Sequence, residues 1–464
     1  MTHIGSTPLP AASQSPSGGR VLRFTRRLAP MLAPALVVAA LGCREDSGPP
    51  TASEPEPALD VAPAQALAFR QVTVGGEHTC GLTTSQVAYC WGTNSVGELG
   101  IGTSTGPETC SGIPCSTTPV RVVGGLAFRQ LSAKSGHTCG VTPNNRLFCW
   151  GLNHTGQLGD GTGADSPRPI RIARGLAFRQ VSAGNLHSCG VTTNHVAYCW
   201  GHNQAGALGD GTTNGSLGPV RVVRGLAFRE VSAGNQFTCG VTTDNVAYCW
   251  GLNSDGELGI GHTSGPESCF TGDGFNPCST RPVRVVHGLA FREVSAGADH
   301  ACGVTTDDVA YCWGGNLAGQ LGMGIGTSTG PELCLDVAPC SSTRPVRVAR
   351  GLAFRQVSAG EQHTCGVTTD DVAYCWGLNL IGELGIGTDT GQVTCSFFDA
   401  PCSLRPVRVV GGLAFRQVSA EGDVHICGVT TANVAFCWGD NSAGQLGDGT
   451  TQTRLRPRRV AGGN

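Results

Sequence analysis

Apolar and polar residues alternate along this chain in short runs. In Val372-Ala373-Tyr374-Cys375-Trp376 the valine, tyrosine and tryptophan fall on one side of an extended backbone, the alanine and cysteine on the other. In Phe354-Arg355-Gln356-Val357 the phenylalanine and glutamine alternate with the arginine and valine. Glycines and turn formers bound both runs, as they bound half-buried strands. The repeating units lack the 3.6-residue period of an amphipathic helix.

These runs recur. Each of the seven tryptophans, Trp91, Trp150, Trp200, Trp250, Trp313, Trp376 and Trp438, is followed by glycine, at spacings of 59, 50, 50, 63, 63 and 62 residues. A unit of about 50 residues, sometimes enlarged by an insertion of about 9 to 13, is the signature of a repeat architecture. Each unit reads R-P-V-R-V, G-L-A-F-R-Q-V-S-A-G, H-T-C-G-V-T-T and V-A-Y-C-W-G, then a tail N-x-x-G-x-L-G. Four short strands per unit, seven times over, predict an all-β, seven-bladed propeller of four-stranded antiparallel blades. The first unit lacks its R-P-V-R-V strand, and Arg456–Asn464 supplies a lone copy of it. The expectation is that this C-terminal strand joins the first blade and closes the ring.

The aligned pattern SAG-x-x-HT-x-x-V-T-T-x-x-V-Y-x-WG-x-N-x-x-G-x-LG resembles regulator of chromosome condensation repeats across residues 66–464. The resemblance implies a propeller. It implies no single activity, because this superfamily includes a nucleotide exchange factor, a plant photoreceptor and secreted bacterial inhibitors of β-lactamases.

Charge narrows the partners. The net charge is −2, 30 of the 31 basic residues are arginine, and Lys134 is the one lysine. No basic run follows residue 27, so electrostatic capture of nucleic acid has no support. Ahead of the repeats, Arg20, Arg23, Arg26 and Arg27 precede an apolar run from Leu28 to Gly42 that ends at Cys43. A basic head and a short apolar stretch read as a signal peptide over residues 1–42. Ala40-Leu41-Gly42-Cys43 resembles the bacterial lipobox, with Ala40 where leucine is usual. Lipidation of Cys43 is therefore expected, with residues 43–65, rich in Pro, Ala, Glu and Ser, as a flexible tether. The expected location is the bacterial cell envelope, lipid-anchored at the outer membrane or cell surface, otherwise secreted.

An oxidising compartment gives the remaining 22 cysteines a use. Seven pairs share one repeat position: Cys80 with Cys90, Cys139 with Cys149, Cys189 with Cys199, Cys239 with Cys249, Cys302 with Cys312, Cys365 with Cys375 and Cys427 with Cys437. If T-T-D-D-V turns as a three-residue loop, the partners stand opposite each other on adjacent strands, within disulfide reach. Four further pairs lie in the insertions of the long units: Cys110 with Cys115, Cys269 with Cys278, Cys334 with Cys340 and Cys395 with Cys402. Insertion and pair are gained or lost together, which favours local bridges over metal ligation. His363-Thr364-Cys365 with Cys375 could offer zinc two sulfurs and a nitrogen, but the spacing fits no usual zinc pattern, and Phe237 breaks the histidine series. No Cys-x-x-Cys redox motif is present.

Catalysis would require residues that break the repeat with paired acids, bases or nucleophiles. Asp370, Asp371, Asp160, Asp210 and Asp448 sit where turns need aspartate. The expectation is a protein that is not an enzyme and binds neither metal nor cofactor. What remains is a rigid disc with insertions gathered on one face, among them Phe270, Phe275, Phe397 and Phe398 in otherwise polar loops. Exposed aromatics favour a binding surface. The predicted function is a monomeric envelope scaffold presenting that face to a protein or glycan partner. The alternatives are an inhibitor of an extracellular hydrolase and a structural surface protein without a single partner.

Overall fold

Six of the seven blades open with a strand that begins at phenylalanine, the second with Gln130–Lys134 two residues after Phe128, and the blades are phased from the phenylalanine. The computed structural model describes residues 67–462 apart from 224, 273, 324–332, 335–337, 340, 349–350, 392 and 396–399, with the backbone alone at 333–334 and 338–339. The signal segment, Cys43 and the tether lie outside the described residues, as do Phe397 and Phe398. Cys340 lies outside them too, so the expected bridge from Cys334 to Cys340 falls beyond what the structure describes.

The first blade orders Phe69–Val74, His78–Thr83, Ala88–Thr93 and Ile113–Arg121 from the axis outward, neighbours antiparallel. The same order recurs through the seventh blade, Phe415–Ser419, His425–Thr430, Ala435–Gly439 and Arg454–Arg459. Seven four-stranded blades surround a central channel of about 250 Å3, lined by the innermost strands.

The R-P-V-R-V strand therefore ends a blade instead of opening one, and the first unit is not truncated. The expected pairing of the C-terminal strand into the first blade is corrected accordingly: Arg454–Arg459 pairs with Ala435–Gly439, setting Cys437 opposite Arg458. Closure runs through side chains and loops. Val460 shares a core with Phe69, Val72 and Trp91 of the first blade, and Phe69 N–H donates to Asn433 O at 2.8 Å.

Every seam between blades is built alike. In the sixth blade Ala373 and Cys375 bury one face of their strand against Phe415, Val418, Ile426 and Trp438 of the seventh. Trp376, on the other face, packs into the preceding seam with Cys302, Cys312 and Phe354. Period-two alternation thus holds, but both faces of the third strand are packed into seams, where the sequence pattern suggests a half-buried strand. Each indole also latches backward, Trp438 Nε1–H donating to Glu383 O at 2.9 Å. Gly385 lies beneath that ring at φ +63°, where a Cβ would stand 2.7 Å from Trp438 Nε1, so only glycine fits.

The innermost strand departs from simple alternation. A β-bulge separates Phe354 from Gln356, so Phe354 and Val357 are both buried while Arg355 and Gln356 are half-buried. Bulges re-aim side chains, and here the bulged residue is an arginine.

Strand direction fixes the faces. Innermost and third strands both run toward one end of the channel, and the insertions connect third strands to fourth. All insertions therefore rise from that end, the insertion face. The chain enters the first blade at the opposite end, where the T-T-x-x-V hairpin turns also lie. We call this the turn face.

Candidate functional site

The insertions are hairpins that extend blades. Glu108–Cys110, Glu267–Phe270 and Val393–Cys395 each add a fifth strand to the first, fourth and sixth blades, and Leu333–Cys334 pairs with Ala338–Pro339 in the fifth unit. In the fourth blade Phe270 stands opposite Phe275, with ring centroids 5.5 Å apart at 66°. Both rings are open to solvent, at 54% and 75% exposure. The Cys269–Cys278 bridge pins the hairpin, and Asn276 Nδ2 donates to Thr271 Oγ1 at 2.6 Å. A rigid, bridged hairpin with an aromatic pair at its tip can enter an apolar recess at little entropic cost. Leu317 and Leu380, at 37% and 56% exposure, lie on this same face in the fifth and sixth blades. Sequence reasoning missed them. Their signal was that the equivalent residue is polar elsewhere: Ser95, His154, Gln204, Ser254 and Ser442.

The cysteines belong to the scaffold. All seven repeat pairs are bridged: Cys80–Cys90, Cys139–Cys149, Cys189–Cys199, Cys239–Cys249, Cys302–Cys312, Cys365–Cys375 and Cys427–Cys437. Their Cα atoms stand 4.0 to 4.1 Å apart in direct cross-strand register, Cys90 opposite Cys80, Cys149 opposite Cys139, Cys199 opposite Cys189 and Cys249 opposite Cys239 in the first four blades. The loop pairs Cys110–Cys115, Cys269–Cys278 and Cys395–Cys402 are bridged too.

The neighbouring histidines serve the seams. His78 Nε2 lies 2.8 Å from Thr138 Oγ1 of the next blade, and His137–Ser188, His187–Thr238, His300–Thr364 and His425–Thr79 repeat the pair. Thr79 Oγ1–H donates to Gln445 O, the carbonyl that also receives Trp91 Nε1–H. The imidazole Nε2 is therefore the donor. Burial holds His78 at about 4 and His137, His187, His300 and His425 at about 3, so all are neutral at pH 7. With the sulfurs joined to each other and Nε2 held by a hydroxyl, the H-T-C motif offers no thiolate to zinc.

The channel carries two rings of hydrogen bonds between blades. Gln71 Nε2–H donates to Leu131 O while its Oε1 accepts Leu131 N–H, and Gln130, Gln180, Gln356 and Gln417 do the same to the next blade. The fourth and fifth blades place Glu230 and Glu293 in this ring. Burial pushes their carboxyls up to about 7 and about 8, and the neighbouring Glu230 raises Glu293 further. A ring of hydroxyls accepts backbone N–H groups above it, as Ser182 Oγ does from Ala233.

At the insertion face the channel meets Lys134. It follows Ser132-Ala133 where most units have the glycine of S-A-G and the seventh has Glu421, is 6% exposed, and reaches across to donate to Ala296 O at 2.9 Å. Burial lowers its pKa, while the fields of Glu421, Asp423 and Glu361 act to raise it. This non-repeated cluster caps the channel, and its sequence signal was the solitary lysine. The suspected turn aspartates stay within their turns: Asp160 Oδ1 accepts Thr162 N–H, and Asp448 pairs with Arg454. Asp371 pairs with Arg355.

Known proteins match this geometry. The family model for the RCC1-like domain matches residues 38–395, and models of the regulator of chromosome condensation (RCC1) repeat match 415–445 and 434–464. The chain is 28% identical over 192 residues to the ultraviolet-B receptor UVR8 of Arabidopsis thaliana, covering 41% of this chain and 38% of the receptor. It is 31% identical over 184 residues to the human E3 ubiquitin-protein ligase HERC2, covering 39% of this chain and 3% of the ligase. These relatives are thus matched over a minor part of their own length. Among solved structures, Prp20p of Saccharomyces cerevisiae superposes with a TM-score of 0.66 at 21% identity, covering 82% of this chain and 87% of that one. Human WBSCR16 gives 0.65 at 20% identity, covering 81% and 94%. Repeat phasing, seven blades and these matches agree: the chain belongs to the RCC1-like domain family.

Proposed function

We propose that the protein is a non-catalytic, monomeric binding scaffold of the cell envelope that presents its insertion face to a protein or glycan partner. The observation that carries this reading is the Phe270–Phe275 pair, solvent-exposed on a bridged hairpin and absent from the repeat consensus. Relatives of this fold are consistent with such a role, since the Prp20p structure is described with binding to Gsp1p and histones. Export and anchoring rest on the signal-like segment and Cys43.

Phe270→Ser/Phe275→Ser leaves the seams untouched and should abolish cross-linking to the partner in native envelopes while the ring stays folded. Undiminished cross-linking would remove the hairpin from the interface. Cys43→Ser should lose its lipid label, and a label that persists would contradict the anchor. An inhibitor of an extracellular hydrolase is the second reading, because a rigid aromatic hairpin is also a shape that can block a cleft. Inhibition of a purified hydrolase, lost in the same double variant, would select it.

A further inference from the structure

The arginine that follows the phenylalanine at the start of each repeat has no part in the insertion face. Arg70, Arg129, Arg179, Arg229, Arg292, Arg355 and Arg416 occupy one repeat position, just after that phenylalanine, at the turn-face mouth of the channel. Most form blade-to-blade bonds: Arg129 to Phe178 O at 2.9 Å, Arg292 to Phe354 O at 2.8 Å, Arg416 to Phe69 O at 2.9 Å, and Arg70 to Arg129 O. A ring of guanidinium groups thus surrounds one end of the channel.

Its charge is balanced on one side only. Sixteen residues after the arginine comes the third residue of the hairpin turn, held at positive φ. In the fifth and sixth blades that residue is aspartate, and Asp308 and Asp371 pair with Arg292 and Arg355. In the fourth blade Asn245 Oδ1 takes the arginine, and in the third His195 Nδ1 lies 3.2 Å from Arg179 Nη1. The first and second blades have Gln86 and Asn145 there, and the seventh has Asn433 one residue later in register. Among the described residues no carboxylate pairs with Arg416, Arg70 or Arg129.

These three arginines, with Gln71, Gln130 and Gln417, line a cavity of about 560 Å3. Arg70 Nε is buried there without a hydrogen-bond partner. Burial and the like charges of Arg179 and Arg70 depress Arg129, and burial with Arg70 and Arg355 depresses Arg416. Three crowded cations with unused N–H groups favour a multivalent oxyanion, because the guanidinium fork binds two oxygens of phosphate or carboxylate at once. A group with three terminal oxygens suits three such forks.

We infer that the cavity formed by Arg416, Arg70 and Arg129 at the turn-face mouth of the channel is a binding site for a phosphoryl group. Two sources share that chemistry, a soluble polyphosphate and a phosphomonoester lipid headgroup. Isothermal titration with inorganic tripolyphosphate tests the first. Co-sedimentation with phosphatidylcholine vesicles, with and without phosphatidic acid, tests the second.

The decisive variant is Asn145→Asp/Asn433→Asp, which gives the second and seventh blades the counterion that the fifth and sixth already carry at the same backbone conformation. It should fold with an unchanged or higher melting temperature and lose affinity by about tenfold or more, as expected when charge-assisted bonds are pre-empted. Saturable binding to either probe, lost in this variant, supports the site and names its source. No binding to either probe at millimolar concentration, or equal binding by the variant, overturns it.

Discussion

Phe237 packs against Ala301 in the seam between the fourth and fifth blades, where five other seams hold a histidine–hydroxyl pair. Histidine and hydroxyl are lost there together, leaving no buried donor unpaired. In the remaining seam Ile426 stands where a hydroxyl residue stands in the others, and His363 turns instead to a backbone hydrogen bond at Ala420. Replacing a partnered pair by apolar groups is nearly neutral, while orphaning one member costs about 1 to 3 kcal/mol. Phe237→His alone should therefore destabilise the ring by roughly that amount, and Phe237→His/Ala301→Thr should recover most of it. Chemical denaturation of the four members of this cycle checks the coupling.

A pH dependence follows from Glu230 and Glu293. An ordinary glutamate ionises near 4.5, whereas these hold their protons to about 7 and about 8. Between those limits the unfolded chain binds fewer protons than the folded one, so stability declines as pH rises toward 8 and levels off beyond. In the folded ring Glu230 Oε1 and Glu293 Oε1 accept Val294 N–H and Val357 N–H, as glutamine Oε1 accepts in the other blades. Glu230→Gln/Glu293→Gln should lessen the decline between pH 6.5 and 8, leaving the share of Glu257, Glu361 and Glu383, which burial also raises to about 8, about 7 and about 7. The buried histidines impose the opposite slope below about 6.5, where the unfolded chain takes up protons that the folded chain refuses. That acid limb should be unchanged in the double variant. Melting temperature against pH reads both limbs.

Lys134 is a buried cation whose charge is felt by Glu421, and the field of Glu421 acts in turn to raise the lysine. Lys134→Met should destabilise the ring, since it removes the positive charge that faces Glu421, Asp423 and Glu361. Lys134→Met/Glu421→Gln should regain much of the loss, and urea titration of both variants measures the difference.

The hairpin bridges close short loops between buried strands, each contributing about 2 to 3 kcal/mol in the chain-entropy model. Protein purified without reductant should show almost no thiol reactivity, and denaturation alone should release none from the ten bridges among the described residues. Only reduction should. Thiol titration before and after reductant checks this, and fourteen reactive thiols without reductant would contradict the hairpin bridges. The same titration reads Cys334 and Cys340, which should also stay unreactive until reduced if that insertion is pinned like the other three.

Much of this was legible from spacing. Cysteines ten apart around a three-residue turn, such as Cys80 and Cys90, must meet across a hairpin, and Trp-Gly counts the blades. Blade phase was not legible, because R-P-V-R-V and F-R-Q-V are adjacent in the chain, and only hydrogen bonding shows which sheet each strand joins. Arg355 looked like one member of an alternating strand, since a bulge leaves no mark in the residue types that surround it. Lys134 was visible as the one lysine, yet its reach to Ala296 depends on two blades facing each other across the axis. Leu317 and Leu380 were hidden among polar equivalents.

The most direct measurement places a photo-cross-linking phenylalanine analogue at Phe275, and separately at Thr84 on the turn face, in protein produced in its native cells. Cross-links to one discrete partner from position 275 and none from 84 are expected if function resides in the insertions. Capture from position 84 alone, or from neither position, would contradict a binding role for the insertion face.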